Sequence, residues 1–454
     1  MSTFSGLSVG LSSLYAQRAG LELAGHNVAN ANTEGYSRQR VGMAADGGPI
    51  TPAIHSTWDG SGNGVTVTGF ERMRDVFLES RALQERGVKS QLATGQLVLA
   101  RVEGIVAEPS DVGIQSQLAD FWAGWDDIAN KPTELAPRNQ LLERAQTLAT
   151  GLNAALDGLD SQRAGFREQL VATVDEVNAT AASVADYNRA IISATQGGSS
   201  PNDLKDQRDL LVQRLGGLVG ARVVQGEFGS VDVHLGAGKL VDGKAAATLT
   251  VPAATNPSSV QWAVGGATAP VGGAAGGLLN GIDVVLPRYT AGLQQVMTQL
   301  HDAVNAQHQL GSTPSGAAGT EVFAITGGRL SVLLTDPQKL AASGTIGGAG
   351  DAGGAGALKL AGLAGRPGGA DEIYRGLVVQ MGVEAQTANR RLDIQTNIVA
   401  QVDAARESQS GVSLDEEMTN LMAFQRAYEG AARFVSAVDS MLDTLINRTG
   451  LVGR

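Results

Sequence analysis

Two rows of apolar residues repeat every seven positions near the end of the chain. Leu421, Tyr428, Val435 and Leu442 make one row and Phe424, Ala431, Val438 and Leu445 the other. This is an a/d seam and predicts a helix over 411–447 that needs a partner helix. Ala427, Phe434 and Met441 widen the stripe, while Arg426, Glu429, Arg433, Asp439 and Asp443 fill the other face. The band is broader than a two-stranded seam requires and implies several neighbours. Residues 4–31 mirror it: Leu7, Leu14, Leu21 and Val28 complete one row, whereas Phe4 and Leu11 begin a second that Arg18 and Gly25 interrupt. At the helical rise these helices span about 40 and 50 Å. Pairing them as a coiled coil, with each other and with copies, buries both seams most simply. Two ordinary amphipathic helices docked on the body fit the same periodicity.

Between the ends the period alternates between helix and strand. Helical spacing predicts helices over 72–108, then from a cap at Ser110 or Asp111 to Asn130, and from Arg138 to Thr195, this last a long rod broken near Gly158 or Gly165. Further helices are predicted over 203–215, 278–310 and 371–407. Val/Thr alternation from Val41 to Phe70, with a turn cluster at 59–64, predicts one or two hairpins. Residues 221–277 read as strands and turns, and 311–369 as a Gly/Ala-rich stretch with short strands over 321–325 and 330–334. The fold class is therefore mainly α with a β insertion, elongated and multi-domain. A terminal coiled-coil unit (1–40 with 412–454) joins a helix-rich bundle body (41–220 with 278–411), in which a small β domain (221–277) is nested.

Composition narrows the function. The 454 residues carry a formal net charge of -11, which disfavours sequence-independent nucleic-acid binding and anionic membrane surfaces. There is no cysteine, so disulfides, thiol nucleophiles and thiolate metal sites are excluded. No stretch is long and apolar enough to span a bilayer. The N-terminus lacks a basic region before its apolar residues, so it is not a Sec-type signal peptide, and a chain that leaves the cell would need another route.

Candidate chemistry is sparse. Gly348, Gly350 and Gly353 with Asp371 match a dinucleotide fingerprint, but no strand precedes them and the run is low-complexity. Gly6 to Gly10 match a nucleophile elbow with only five residues before them. His26, His55, His234, His301 and His308 form no metal-binding spacing. Asp415, Glu416 and Glu417 follow Ser413 as a capping box at a helix N-terminus, and Trp122 and Trp125, three apart, read as buried anchors. No catalytic, cofactor or metal residue is assigned. An enzyme carried on a helical stalk, with its site in 221–365, is the competing class.

The first helix leads into Asn27, Asn30, Asn32 and Thr33, then Gly35-Tyr36-Ser37-Arg38-Gln39. Short polar side chains that bond nearby backbone, followed by a glycine, mark a defined exit turn. This segment resembles the N-terminal signature of the bacterial flagellar axial proteins, the rod, hook and hook-associated components. The Tyr36-Ser37-Arg38-Gln39 ending is similar to that of hook-associated members, and residues 411–428 and 445–447 resemble their C-terminal signature. Glu34 stands where the family commonly has proline. The resemblance implies a structural, non-enzymatic, self-assembling component between hook and filament, outside the cell. Its implied partners are its own copies in a ring, the hook protein, the second junction protein and an export chaperone at the C-terminal helix. Hook and distal-rod proteins are the nearer alternatives within the family. The assembly seam would comprise Leu7, Leu14, Leu21, Val28, Leu421, Phe424, Tyr428, Val435, Val438, Leu442 and Leu445.

Overall fold

A computed structural model describes residues 3–47, 62–253, 257–344 and 354–448. Its frame is helical: α1 (Thr3–Ala29), α2 (Val76–Val106), α3 (Ile114–Asn130), α4 (Leu135–Gln196), α5 (Asn202–Val219), α6 (Gly273–Asn280), α7 (Leu286–Gln309), α8 (Ala355–Ala361), α9 (Ala370–Ser410) and α10 (Leu414–Asp443). The fingerprint glycines Gly348, Gly350 and Gly353, residues 59–61 of the turn cluster 59–64, and His55 lie outside the described residues.

The body is built on α4, 62 residues in one unbroken helix, roughly 90 Å long. The break expected at Gly158 or Gly165 does not occur. Glycine costs a helix only about 1 kcal/mol relative to alanine, and two of the glycines here admit neighbours. A Cβ on Gly158 would stand 3.0 Å from Ile105 of α2, and one on Gly151 only 2.2 Å from Gln117 of α3. One face of α4, from Leu141 through Leu148, Leu156, Phe166, Leu170 and Val177 to Ile191, is buried. It shares a continuous core with Trp125, Val98, Tyr289, Leu293 and Tyr374 from α3, α2, α7 and α9.

Strands β3 (Arg222–Gln225), β4 (Val231–Leu235), β5 (Gly238–Asp242) and β6 (Ala245–Ala246) form an antiparallel sheet in sequence order, and β7 (Leu249–Thr250) pairs with β8 (Gln261–Trp262). Their inward residues Val231, Val233, Leu235, Leu240 and Leu249 belong to the same core as α4. Asparagines on α4 grip this strand backbone as an extra strand would. Asn188 donates to the carbonyls of Val231 and Gly243, both at 2.8 Å, and accepts from Val231 N–H; Asn178 donates to and accepts from Leu249. Asn153 does the same for Leu330 in the hairpin β9 (Phe323–Thr326) and β10 (Arg329–Val332). Such two-way amide pairing satisfies backbone groups that burial would otherwise strand.

Two other helix starts differ from the sequence reading. Gly113, not Ser110 or Asp111, precedes α3, and the Glu108 carboxylate accepts from the Gln115 N–H at 2.9 Å. At α10 the Ser413 hydroxyl takes the Glu416 N–H, but the Glu416 side chain does not complete the capping box. It turns instead to Arg38.

Candidate functional site

The first and last helices lie against each other along their length. Small residues on α1 permit the approach. A Cβ on Gly10 would come within 2.6 Å of Val435, one on Gly20 within 2.6 Å of Phe424, and one on Gly6 within 3.6 Å of Val438. Gly10, Ala16, Gly20, Leu23, Ala24 and Asn27 make up the buried face of α1. Leu7, Leu14, Leu21 and Val28 stand beside this face, half-buried. On α10, Val438 and Ala431 are buried, Leu421, Phe424, Val435 and Leu442 are half-buried, and Tyr428 and Leu445 are exposed. Glycine was missed as a contact residue because a hydrophobic pattern registers side chains, and glycine has none.

Much apolar surface stays uncovered. Tyr15 is 68 % exposed and Met441 61 %, with Leu11, Phe434 and Ile446 also exposed; Leu414, Met418 and Met422 form an exposed i, i+4 row. Exposed apolar side chains gathered on a helical pair are the kind of surface that a protein contact covers.

At its base the pair is fastened to the body by a polar cluster centred on Glu417, a carboxylate only 2 % exposed. Asn27 donates to it at 3.0 Å and Arg38 at 2.7 Å, while Arg38 also meets Glu416 at 2.6 Å. Asn27 is fully committed: its amide donates to the Gln39 carbonyl, and its oxygen accepts from the Gln39 N–H and the Tyr36 hydroxyl. The Tyr36 hydroxyl stands 3.0 Å from His26 Nδ1. Burial, then the charges of Asp203, Asp206 and Glu417, push the Tyr36 phenol well above its usual range, so it stays a donor. Asn30 and Thr33 close the exit turn through Asn30 Nδ2 to the His26 carbonyl and Thr33 Oγ1 to Asn30. Gly35 has φ +80, and a Cβ there would lie 2.6 Å from Leu210, so both conformation and space call for glycine. Among the described residues, Asn32 shows no side-chain bond of this kind.

From Arg38 the chain enters β1 (Gln39–Ala45), antiparallel to β2 (Val65–Arg72) in a single ribbon. Arg38 itself is pinned on both sides, its N–H to the Ser410 carbonyl and its carbonyl to the Met73 N–H. Beyond it runs a chain of charges. Ser37 N–H reaches Asp206, Arg72 bridges Asp206 and Asp209, Arg74 bridges Asp209 and Glu79, and Arg406 joins Glu79 to Asp403. Burial alone would raise Asp209, but Arg208, Arg74 and Arg72 together hold its carboxyl below the usual range. Asp206, less fully compensated, is raised by burial. Asn202 ties the ribbon to α5 through Gln39 and the Phe70 carbonyl. Glu417, Asp206, Asp209 and Asn202 were not singled out from sequence as site residues. Glu417, Asp206 and Asn202 lie 163 to 390 positions from Asn27, Ser37 and Gln39, and Asp209 lies 137 and 135 from Arg72 and Arg74, so no local spacing announces these contacts.

The other candidates have structural roles. Gly6 to Gly10 lie inside α1, so they form no strand-to-helix elbow. Trp122 donates to Asp371 at 2.8 Å, and Trp125 packs edge-on to Phe121 in the core. His308 is buried, with Nδ1 2.6 Å from the Thr320 carbonyl and Nε2 accepting the Ala341 N–H. Among the described residues no group of three His, Asp or Glu side chains is placed to hold a metal, and no helix is long and apolar enough to cross a membrane.

Comparison with known proteins bears on what such a clamp and stripe serve. Residues 99–323 match the family described as flagellar hook-associated protein FlgK helical domain, and residues 405–448 match the flagellar basal body rod FlgEFG protein C-terminal family. The chain is 30% identical to flagellar hook-associated protein 1 of Bacillus subtilis (strain 168), over 100% of both chains. It is 25% identical to the protein of that name from Escherichia coli (strain K12), covering 96% of this chain and 98% of the relative. The solved structure of the flagellar hook junction protein FlgK from Burkholderia pseudomallei shares the fold, with a TM-score of 0.65 at 19% identity over 74% of this chain and 100% of that one.

Proposed function

Since the chain belongs to the flagellar hook-associated protein 1 family, structural components of the flagellum at the hook–filament junction, we propose that it enters that junction through the α1–α10 pair, held at a set angle by the Glu417 clamp. The family is a structural one, and its members associate with hook and filament components. The observation that carries the proposal is the apolar surface that the paired helices leave exposed. Burying a Leu, Phe or Met side chain contributes about 1.5–3 kcal/mol, and six or more such side chains lie on this pair. Ordering backbone costs about 1–2 kcal/mol per residue. The terminal helices therefore gain most of their stability when neighbouring subunits cover them, and assembly is coupled to their ordering.

On this reading the copies form a ring, with the hook protein on one side and the second junction protein on the other. Before export, a chaperone covers the stripe of α10. The chain divides into the assembly unit (1–40 with 412–454), a body and the β insertion. The named seam residues split into two groups, with Val435, Val438 and Phe424 serving the internal contact and Tyr428 and Leu445 facing neighbours.

Met422→Asp with Met441→Asp tests the proposal, because both positions are exposed and the body does not depend on them. Cells carrying this chain in place of the wild type should show hooks without filaments by electron microscopy, while the purified chain keeps its helical circular dichroism. Normal filaments on such cells would contradict it.

A further inference from the structure

Beside the clamp, between the β1–β2 ribbon, the start of α2, α5 and β3, opens a cleft of about 550 Å³. Val76, Leu83, Val212, Val223 and Val231 line it, and Phe77, 88 % exposed, stands next to Val76 at the start of α2. Glu71, Arg72, Arg74, Glu79 and Asp209 also line it, each in an ion pair, and Lys205 is the charged residue of the described lining that lacks one. Every acid near it is already taken: Asp206 by Arg72, Asp209 by Arg72, Arg74 and Arg208, and Glu79 by Arg74 and Arg406. The Lys205 ammonium has no ion pair or side-chain hydrogen bond among the described residues. Burial, with Arg72 and Arg208 nearby, lowers its pKa. A half-buried, unpaired cation beside an apolar strip of Val76, Leu83, Val212, Val223 and Val231 is complementary to a carboxylate carried on an apolar segment.

The chain itself exposes a segment of that chemistry at the end of α10. Asp439 and Asp443 are one helical turn apart and exposed, and Ile446, three residues on, is 70 % exposed. This end cannot reach the cleft of its own chain. The cleft adjoins the base of α10, because Arg72 follows the ribbon that Arg38 anchors to Glu417, and the 30 residues of α10 carry its tip about 45 Å away. We propose that the cleft receives the tip of α10 from a second copy, with Asp443 or Asp439 facing Lys205 and Ile446 entering beside Val76 and Leu83. The contact joins different surfaces of two copies and so propagates head to tail, closing a ring or continuing a helix according to its rotation. It rests on the assembly role proposed above for the terminal helices and specifies one of their neighbours.

The chain has no cysteine, so introduced thiols report single contacts. Val76→Cys with Ile446→Cys in the full-length chain should form disulfide-linked dimers and higher species, both in the concentrated purified chain and in isolated flagella. A disulfide requires Cβ atoms within about 4.5 Å. Lys205→Glu and the milder Lys205→Gln should each lower the yield, by about tenfold for Glu, and adding Asp443→Lys to Lys205→Glu should restore it. The Met422→Asp with Met441→Asp chain serves as the comparison, since its effect on filaments tests the assembly reading without the cleft. If that chain loses filaments but the Val76/Ile446 pair does not link, the tip contact is wrong and the assembly reading stands. If that chain keeps filaments and the pair does not link, both fall. Equal yields with Lys, Gln and Glu at 205 would also overturn the role given to Lys205.

Discussion

Glu417→Ala would leave the buried Asn27 amide and the half-buried Arg38 guanidinium with one partner fewer each, Arg38 keeping Glu416. Removing one member of a buried, hydrogen-bonded ion pair costs about 3–5 kcal/mol. That loss should appear as faster amide hydrogen exchange in the first turns of α10 and the last turns of α1, with exchange in α4 unchanged. Glu417→Gln keeps an acceptor for Asn27 and should lose less. Sequence placed this carboxylate among three acids at a helix start, which the helix dipole alone would explain. What it could not supply was the partner, since Asn27 is 390 residues away. The motif residues Gly35 and Tyr36 were legible as an exit turn because their constraint is local. His308 makes a second residue-scale prediction. Burial lowers its pKa below the ordinary value near 6.5, so below that pH the unfolded chain binds the proton more readily than the folded one. Its contribution is complete above about pH 6.5 and is lost as pH falls toward the folded-state value. The melting temperature of the body should therefore drop on acidification from pH 7, and His308→Gln should flatten that slope.

Elements were legible where a period repeats many times. Both terminal helices, the long helix α4 and the strands of the middle segment follow from apolar spacing, and their ends shift by a few residues through caps such as the Glu108 carboxylate. The face of α1 that meets α10 was harder to read, because Gly10 and Gly20 mark it by absence. Gly20→Leu should force Phe424 out of the contact and expose more of both helices, raising binding of a hydrophobic dye without reducing the helical content of the body. The attachment of strands to α4 through Asn153, Asn178 and Asn188 was likewise invisible, since an asparagine in a helix usually faces water. Asn188→Leu strands the Val231 amide and two carbonyls. At about 1–3 kcal/mol for each unsatisfied group, it should loosen β4 and β5 measurably in hydrogen exchange while leaving α1 and α10 alone.

At the scale of the molecule, one continuous core stabilises the body without help, whereas the terminal pair hangs on a polar clamp and keeps an apolar surface for others. On the proposed reading, that division would let the chain hold a folded body and still add its ends to a lattice. Hydrogen exchange measured on the free chain and on the same chain within isolated flagella tests this most directly. The account predicts that α1 and α10 gain protection of a hundredfold or more on assembly, equivalent to about 2.7 kcal/mol, while α4 and α7 change little. Protection of α1 and α10 that is already complete in the free chain, or a gain confined to the body, would contradict it.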